Sequence, residues 1–483
     1  MSLLVALGPV LALVAGVEAL TGVFSGPKAD PIDIDTPASL MKDVEQPPEI
    51  SPHVQAVQRD AHLDRAKPPK VGDPRLLRLA VPPEARLLQP PDPLYAAIAG
   101  SAVDADLKLQ TLGQDGPAAK PPPADPRILL LSGGGAWGAF GAGFLKALSE
   151  KGTLPRFDAV TGVSTGAVLG LLLAGGSAAD AEAEYVSNAV VGRTRGRGLA
   201  AIGSLMRRGG LTDLSPMIAR LESWLKTPVA GGGDRLAQLA LGKPLLLVGA
   251  VEMASGDFRI FNLTRLARNA GKDPASRAAA ARAIAGIVAG SSAIPMQMVP
   301  VRLRDPASGN VRSLADGGVR VSVFDAHVIE VVKRAETDRA KRASAAQLAA
   351  PQAAELYVIR NGPTIARASL PDPTHRGQTL IDSRPHVLNL MERGQAVLVN
   401  QNEVGSITML RLNRPETPIF VATADGYSQA DPPCTDLPTR AEPFPIEGMR
   451  CLARFGGAKA RAQDKPPWIR LPTLSEIASQ QQK

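Results

Sequence analysis

The 483-residue chain is poor in aromatic residues, histidine and cysteine, and each shortage limits the chemistry that it can perform. Aromatic residues make up 4% of a sequence that is 45% hydrophobic, so Ala, Leu, Val and Ile must build the globular core. The two cysteines, Cys434 and Cys451, lack the Cys-x-x-Cys spacing of zinc and redox sites. No histidine lies near either cysteine in the sequence, so a catalytic cysteine is not expected, whereas a disulfide between the two stays open.

Dense Lys/Arg tracts with interleaved aromatic residues are also absent, although the formal net charge is +8. A basic chain favours anionic partners, either nucleic acid or an acidic phospholipid surface. Without such a tract, nucleic acid is the weaker of the two. A basic surface that is simply solvated explains the charge as well, so the charge alone assigns no partner.

The N-terminus carries a long apolar run. Leu3–Val17 is uncharged, and after Glu18 a second apolar patch reaches Phe24. The run resembles the hydrophobic region of a secretory signal but lacks the Lys or Arg expected before it. Leu3–Phe24 also has roughly the 20 residues that cross a bilayer, so an uncleaved anchor is the main alternative and a buried helix the third. We expect residues 1–26 to be a signal peptide or membrane anchor, and the protein to be exported to the cell envelope or periplasm, or membrane-associated.

Residues 27–126 form a proline-rich extension that holds 19 of the 43 prolines. Each proline removes an amide donor and drives the preceding residue out of the helical region, which excludes long helices. The extension is expected to be extended coil, partly a linker and partly a strap over a neighbouring domain.

A glycine-rich loop follows the first strongly apolar segment of the next region. Ile128–Leu131 is predicted to be a short buried strand, and Gly133–Gly138 comes directly after it. The pattern Gly-x-Gly-x-x-Gly after a strand fits a dinucleotide-binding loop, with Asp158 as the ribose contact. The same glycines also let the amides of Gly134 and Gly135 turn toward a developing oxyanion, because no Cβ blocks the approach. Both interpretations stand at this point.

The second motif favours the oxyanion interpretation. Gly162-Val163-Ser164-Thr165-Gly166 follows a short apolar run and leads into the helix-forming stretch Ala167–Ala174. Strand, sharp turn and helix in this order predict a nucleophile elbow, with Ser164 at a helix N-terminus. A dinucleotide fold would end the second strand at an acidic residue, whereas here the strand runs into a serine.

An acid follows at the end of a later apolar segment. Asp316 precedes Gly317 and Gly318, so its carboxylate can be aimed at a neighbouring turn, although Asp-Gly alone is usually a tight turn. His327 completes the chain order Ser, Asp, His of the α/β-hydrolases. It lies in an apolar-rich stretch, however, where a packed or surface histidine is the commoner outcome.

The remaining segments alternate between strand and helix patterns, which predicts an α/β fold. The predicted strands are Pro244–Glu252, Phe258–Asn262, Glu355–Asn361 and Pro418–Ala422, and the predicted helices are Ser177–Val191, Pro216–Leu225, Ser276–Gly290, Pro385–Leu412 and Ile446–Phe455.

Three motifs in this order resemble the bacterial patatin-like phospholipases: Gly133–Gly138, Gly162–Gly166 and Asp316-Gly317-Gly318. The segment Ser291–Pro295 and the strand Tyr357–Gly362 are also similar to that family. The resemblance covers residues 127–427 and implies a three-layer α/β domain, with a mostly parallel central sheet flanked by helices. It leaves residues 428–483 as a C-terminal tail with a short helix.

The resemblance implies a serine lipid acyl hydrolase with a Ser–Asp dyad and neither metal nor cofactor. By position, Ser164 is the nucleophile, Asp316 is the base, and the reaction passes through an acyl-enzyme. The oxyanion hole is assigned to the amides of Gly133, Gly134, Gly135 and Ala136, and the motif glycines are Gly138, Gly162, Gly166, Gly317 and Gly318. The expected substrate is a phospholipid or other fatty-acyl ester at a membrane surface.

One departure from the family concerns the turn after the aspartate. Val319–Val323 stands where the family usually has an asparagine-containing turn, which affects the orientation of the elbow and the acyl pocket. Two alternative functions remain: an acyltransferase that uses the same dyad, and a weakly active scaffold whose proline-rich arm covers the site or recruits a partner. The head group, the acyl position and any protein partner are not specified by the sequence.

Overall fold

The computed structural model describes residues 32–46, 126–186, 208–325, 354–365, 374–375, 377–383, 387–434 and 444–481. The apolar run Leu3–Phe24, most of the proline-rich extension and His327 lie outside these ranges, so the predictions made for them stay predictions. Within them, no helix combines the length and the apolar character that a membrane crossing requires.

The described strands and helices alternate along the chain. The strands are β1 (Ile32–Asp35), β2 (Glu45–Gln46), β3 (Arg127–Leu131), β4 (Ala159–Val163), β5 (Gly210–Thr212), β6 (Leu245–Glu252), β7 (Phe258–Asn262), β8 (Met296–Met298), β9 (Val301–Arg304), β10 (Val311–Asp316), β11 (Glu355–Arg360), β12 (Ile419–Thr423) and β13 (Ile469–Leu471). The helices are α1 (Ala38–Met41), α2 (Gly138–Glu150), α3 (Thr165–Ala174), α4 (Ala178–Val186), α5 (Ser215–Leu225), α6 (Arg235–Leu241), α7 (Leu263–Asn269), α8 (Pro274–Ser291), α9 (Leu380–Ser383), α10 (Val387–Asn413), α11 (Ile446–Arg461) and α12 (Leu474–Gln481).

One large sheet has the strand order β1-β9-β10-β6-β4-β3-β11-β12-β13, with β7 and β2 attached beside β6. The centre, from β6 through β4, β3 and β11 to β12, is parallel throughout. Strands β10, β7 and β13 pair antiparallel with their neighbours at its flanks. The predicted α/β class with a mostly parallel central sheet is therefore confirmed.

Two hydrophobic clusters cover the two faces of the sheet. Along β3, Leu129 and Leu131 belong to one cluster, and Ile128 and Leu130 belong to the other. All four are at most 1% exposed. A strand that is apolar on both sides is what a parallel sheet between helical layers requires, which explains the continuous run Ile-Leu-Leu-Leu.

The tail helix α11 is part of this core and is longer than the predicted Ile446–Phe455. It crosses α2 at small residues: a Cβ on Gly143 would lie 2.0 Å from the carbonyl oxygen of Ala453. Cys434 and Cys451 form a disulfide across 17 residues, so the pairing that the sequence left open is present. The domain boundary at residue 427 stays a prediction.

The described part of the proline-rich extension is not coil. β1 adds to the sheet in parallel with β9, and β2 pairs antiparallel with β7. Ile32 and Ile34 alternate with two aspartates and are 7% and 0% exposed, a strand pattern short enough to fit between prolines. The coil prediction is wrong for residues 32–46, where this alternation outweighs the proline content.

Candidate active site

Ser164 occupies a strained turn between β4 and α3. Its backbone has φ 56° and ψ −122°, in a region that non-glycine residues rarely adopt. The flanking glycines make the turn possible, because a Cβ on Gly162 would lie 2.3 Å from the Gly166 carbonyl oxygen. A Cβ on Gly166 would lie 2.2 Å from the carbonyl oxygen of Leu131. The strand, turn and helix have the geometry expected of a nucleophile elbow, and Ser164 is 5% exposed.

The glycine-rich loop after β3 lies directly against this serine. A Cβ on Gly133 would be 3.4 Å from Ser164 Cβ. Gly134 and Gly135 have φ 144° and 58°, and a Cβ on Gly134 would lie 1.9 Å from the carbonyl oxygen of Asn361. Only glycine fits there, and its left-handed backbone shapes a loop close to Ser164.

The loop is anchored on both sides by hydrogen bonds from side chains to its carbonyl groups. Ser132 Oγ donates to the Gly133 carbonyl (2.8 Å), and Asn361 Nδ2 donates to the Ser132 carbonyl (2.8 Å). On the other side, the Gly135 carbonyl accepts from Thr165 Oγ1 (2.8 Å) and from the Tyr185 hydroxyl. Burial raises the pKa of Tyr185, so it stays a hydrogen-bond donor. A fixed loop of this kind can stabilise an oxyanion without reorganising.

Asp316 comes to the level of Ser164 through the strand register. Val163 pairs with Gly249 of β6, and Asp316 pairs with Ala250. The Ser164 side chain hydrogen-bonds the Asp316 carboxyl, and the Gly318 amide donates to Asp316 Oδ1 (2.7 Å). Burial raises the pKa of Asp316 to about 6, and these two hydrogen bonds oppose the rise. The carboxyl is thus ionised at neutral pH with a basicity suited to proton transfer.

The turn after Asp316 is held from elsewhere in the chain. Asn402 Nδ2, on α10, donates to the Gly318 carbonyl (2.6 Å). A Cβ on Gly317 would lie 2.7 Å from the Gly249 carbonyl oxygen and 2.9 Å from Val163 Cγ1. The sequence lacks the expected local asparagine at this turn, and a distant asparagine makes contact with it.

Ser291 is a supporting residue that sequence reasoning did not assign. Its Oγ accepts from the Ser164 amide (2.9 Å) and donates to the Gly249 carbonyl (2.6 Å), which ties the elbow to β6. Nearby, the Ala293 carbonyl accepts from the Asp316 amide (2.9 Å). The segment Ser291–Pro295, known from the sequence only as a similarity, therefore contacts the backbone of both Ser164 and Asp316.

A buried contact between Arg360 and Glu403, which is an ion pair when Glu403 is ionised, also escaped the sequence analysis. Arg360 Nη2 lies 3.1 Å from Glu403 Oε2, and the two residues are 1% and 4% exposed. Burial raises the pKa of Glu403 to about 8, against the lowering effect of Arg360, and the negative charge of Asp316 raises it further. The sequence signal for this contact was Arg360, a charged residue at the end of the apolar strand Leu356–Ile359. A charged side chain is rarely buried without a partner, so its position indicated a buried acid nearby.

Ser164, Asp316 and the loop from Gly133 to Gly135 thus lie together, and Ala136 follows in a buried helical turn. A Cβ on Gly138 would lie 2.5 Å from Thr165 Oγ1, so that glycine packs the loop against the elbow. The functional roles of these residues stay predictions.

Asp158 lies elsewhere, which counts against a dinucleotide site. Asp158 Oδ2 accepts from the Arg127 amide (2.9 Å) at the amino end of β3, opposite the glycine loop at the carboxyl end. In the part of the chain that the structure describes, no cluster of three His, Cys, Asp or Glu side chains is arranged to hold a metal ion.

Comparison with known proteins gives one match at the level of a family. Residues 129–328 match the model of the patatin-like phospholipase family. The crystal structure of VipD from Legionella pneumophila is 14% identical, covering 73% of this chain and 73% of that chain, with a TM-score of 0.27, a likeness too weak to support an inference. No curated protein matches the chain.

Proposed function

We propose that this protein hydrolyses fatty-acyl esters with a Ser164–Asp316 dyad. The match of residues 129–328 to the model of the patatin-like phospholipase family, whose members are lipid acyl hydrolases, supports this proposal. The observation that carries the proposal is the hydrogen bond from the Ser164 side chain to the buried Asp316 carboxyl. The strained elbow and the adjacent glycine loop support it. The activity we infer is that of a phospholipase A or lysophospholipase-like esterase.

In the acylation step, Ser164 Oγ attacks the carbonyl carbon of the ester while Asp316 accepts the serine proton. The carbonyl oxygen becomes an oxyanion, for which the amides of Gly133, Gly134, Gly135 and Ala136 are the proposed donors. Collapse of this intermediate breaks the ester C–O bond. The alcohol leaves with the proton held by Asp316, and the fatty acyl group remains on Ser164.

In the deacylation step, Asp316 takes a proton from water, and the hydroxide formed attacks the acyl-enzyme carbonyl. The second intermediate collapses to the fatty acid, and Ser164 recovers its proton from Asp316. The pKa of about 6 for Asp316 supports this double role, because the group is ionised at neutral pH yet basic enough to accept a proton.

We further propose that the substrate is a phospholipid or related ester at a membrane surface, and that the protein is exported or membrane-associated. The formal net charge of +8 supports contact with an anionic surface, and the apolar run Leu3–Phe24 supports export or anchoring. The proposals on the membrane surface and on export rest on the sequence alone, and the apolar run lies outside the described residues.

The test measures fatty acid released from mixed anionic phospholipid vesicles by wild type, Ser164→Ala and Asp316→Asn. Both variants should lose activity by about a thousandfold or more, because each removes one member of the dyad. Ser308→Ala is the matched control: it removes an exposed serine hydroxyl in the β9–β10 turn, at the far end of β10 from Asp316, and should keep full activity.

Fluorophosphonate labelling followed by peptide mapping identifies the nucleophile directly. We expect modification of Ser164 in wild type and none in Ser164→Ala. Hydrolysis by a folded Ser164→Ala variant at the wild-type rate would overturn the proposal. If an added alcohol receives the acyl group in preference to water, the dyad is kept and the reaction becomes acyl transfer.

A further inference from the structure

A second carboxylate lies beside the proposed oxyanion loop. Helix α10 places Glu403 so that its Oε1 is 3.9 Å from the position of a Cβ on Gly133. Ser164 Cβ is 3.4 Å from the same position. Glu403, Gly133 and Ser164 therefore meet around one space the size of a methyl group. In the sequence Glu403 is 239 residues from Ser164, within a helix that carries no recognisable motif.

The charged groups that face Glu403 come from two strands. Arg360, at the end of β11, is its ion-pair partner at 3.1 Å, and Asp316, at the end of β10, acts on it through its negative charge. Arg360 also faces Asp425, which follows β12. The Nε and Nη1 atoms of Arg360 have no hydrogen-bond partner among the described residues, so Glu403 is its principal anchor.

This arrangement gives the buried site two acids and one cation. With Asp316 ionised and Glu403 protonated, the charge of Arg360 balances that of Asp316. When Glu403 also ionises, one negative charge is left over next to the loop. Inside a protein, a negative charge close to a developing oxyanion raises the energy of the transition state, because burial weakens the screening of the repulsion by water.

We propose that Glu403 is a positioning residue that sets the charge beside the Gly133–Gly135 loop, so that reaction at Ser164 proceeds while Glu403 is protonated and is suppressed when it ionises. The inference rests on the proposed function of Ser164. It assigns to Glu403 and Arg360 a role in the rate and pH range of the reaction, with no contact to substrate.

The pKa directions agree with this geometry. Burial raises the pKa of Asp316 to about 6, so activity rises as Asp316 ionises through that region. Burial raises the pKa of Glu403 to about 8, so activity falls as Glu403 ionises above it. The expected profile is bell-shaped, with the acid limb set by Asp316 and the alkaline limb by Glu403.

The experiment measures the rate of fluorophosphonate labelling at Ser164 from about pH 5 to about pH 10, a range that covers both limbs. Wild type should lose about tenfold in rate per pH unit on the alkaline side, as expected for one ionising group. Glu403→Gln keeps the shape and an acceptor for Arg360 but cannot ionise, so its rate should stay level there, while its acid limb stays at the wild-type pH.

Arg360→Gln provides a second, opposite signature. Removing the cation removes the interaction that lowers the Glu403 pKa, so the alkaline limb should move up by about one pH unit or more. The matched control is Glu355→Gln, which changes a partly buried glutamate paired with Arg127 at 2.8 Å at the start of β11, the opposite end of that strand from Arg360. It removes a paired carboxylate of the same kind far from Ser164 and Asp316, and both limbs should stay at the wild-type pH.

Labelling separates this inference from the proposed function, because it requires no turnover. An alkaline limb that Glu403→Gln abolishes supports the inference even if no lipid ester is hydrolysed. If Glu403→Gln keeps the alkaline limb, the inference is overturned while the proposed hydrolysis stands. A wild-type profile with no alkaline limb overturns the inference in the same way. If Ser164 is not labelled at any pH, both fail.

Discussion

Replacing Asp316 by asparagine should abolish hydrolysis and at the same time stabilise the fold above about pH 6. The carboxyl is 6% exposed, and burial penalises its charged form. Asparagine has the same shape, and its oxygen still accepts the hydrogen bond from the Gly318 amide, which is 2.7 Å from Asp316 Oδ1. The substitution therefore removes the buried charge with little change in packing.

The magnitude follows from the pKa of Asp316, which rises from 3.8 to about 6 on folding. Between these values the folded state binds more protons than the unfolded state, so the free energy of unfolding falls as the pH rises through this window. Each pKa unit corresponds to about 1.4 kcal/mol, so the ionised carboxyl costs the wild type about 3 kcal/mol above pH 6. Allowing for the weakened contact with Ser164, we expect Asp316→Asn to be more stable by about 1–3 kcal/mol at about pH 8 and nearly equal to wild type at about pH 4.

The assay is urea unfolding followed by tryptophan fluorescence across this pH range, since Trp137, Trp224 and Trp468 all lie within the fold. Asp305→Asn is the control, because hydrogen bonds from Ser308 and Ala307 hold the pKa of that exposed carboxyl below its usual value. Its effect should have the opposite sign, with stability lost at neutral pH. A stability difference for Asp316→Asn that does not change with pH would refute the assigned burial cost.

Two further predictions concern the support of the site and of the tail. Ser291→Ala removes the bridge between the Ser164 amide (2.9 Å) and the Gly249 carbonyl (2.6 Å). It should therefore lower the free energy of unfolding in urea by about 1–3 kcal/mol and slow the labelling of Ser164. Unchanged values would show that the bridge is dispensable. Cys434→Ser with Cys451→Ser opens a loop of 17 residues and should lower the free energy of unfolding by about 3 kcal/mol, with reductant producing the same loss in wild type and no further loss in the variant.

The sequence predicted the parts of the site that depend on short-range patterns. The strand β3 with its glycine loop, and the strand β4 with Ser164, each occupy a few consecutive residues whose apolar and glycine content is specific for the structure formed. The bounds of α8 were accurate for the same reason: Ser276–Gly290 was predicted and Pro274–Ser291 is present. The family resemblance then supplied Asp316, because Asp-Gly alone indicates only a turn.

The supporting residues could not be predicted, because they act across long sequence distances. Ser291 is 127 residues from the amide that it binds. Glu403 lies in a long helix, and the sequence pattern there predicts the helix but not the residues that pack against it. The strands in residues 32–46 were missed because proline content was weighed above the alternation of Ile32 and Ile34, and that alternation becomes decisive only when a sheet edge is available.

The match to the family model ends at residue 328, and the site continues beyond it. Strand β11 pairs with the second side of β3, so a chain that ended at residue 328 would leave β3 as an unpaired edge below the glycine loop. Asn361 fills the space under Gly134, and Asn402 binds the turn after Asp316. The motifs before residue 328 therefore supply the proposed nucleophile and base, while β11 and α10 lead to or carry the residues that contact the loop and the turn after Asp316. They also determine how many buried charges surround the loop: the motif residues alone give a site with one acid, whereas the complete fold adds Glu403 and Arg360.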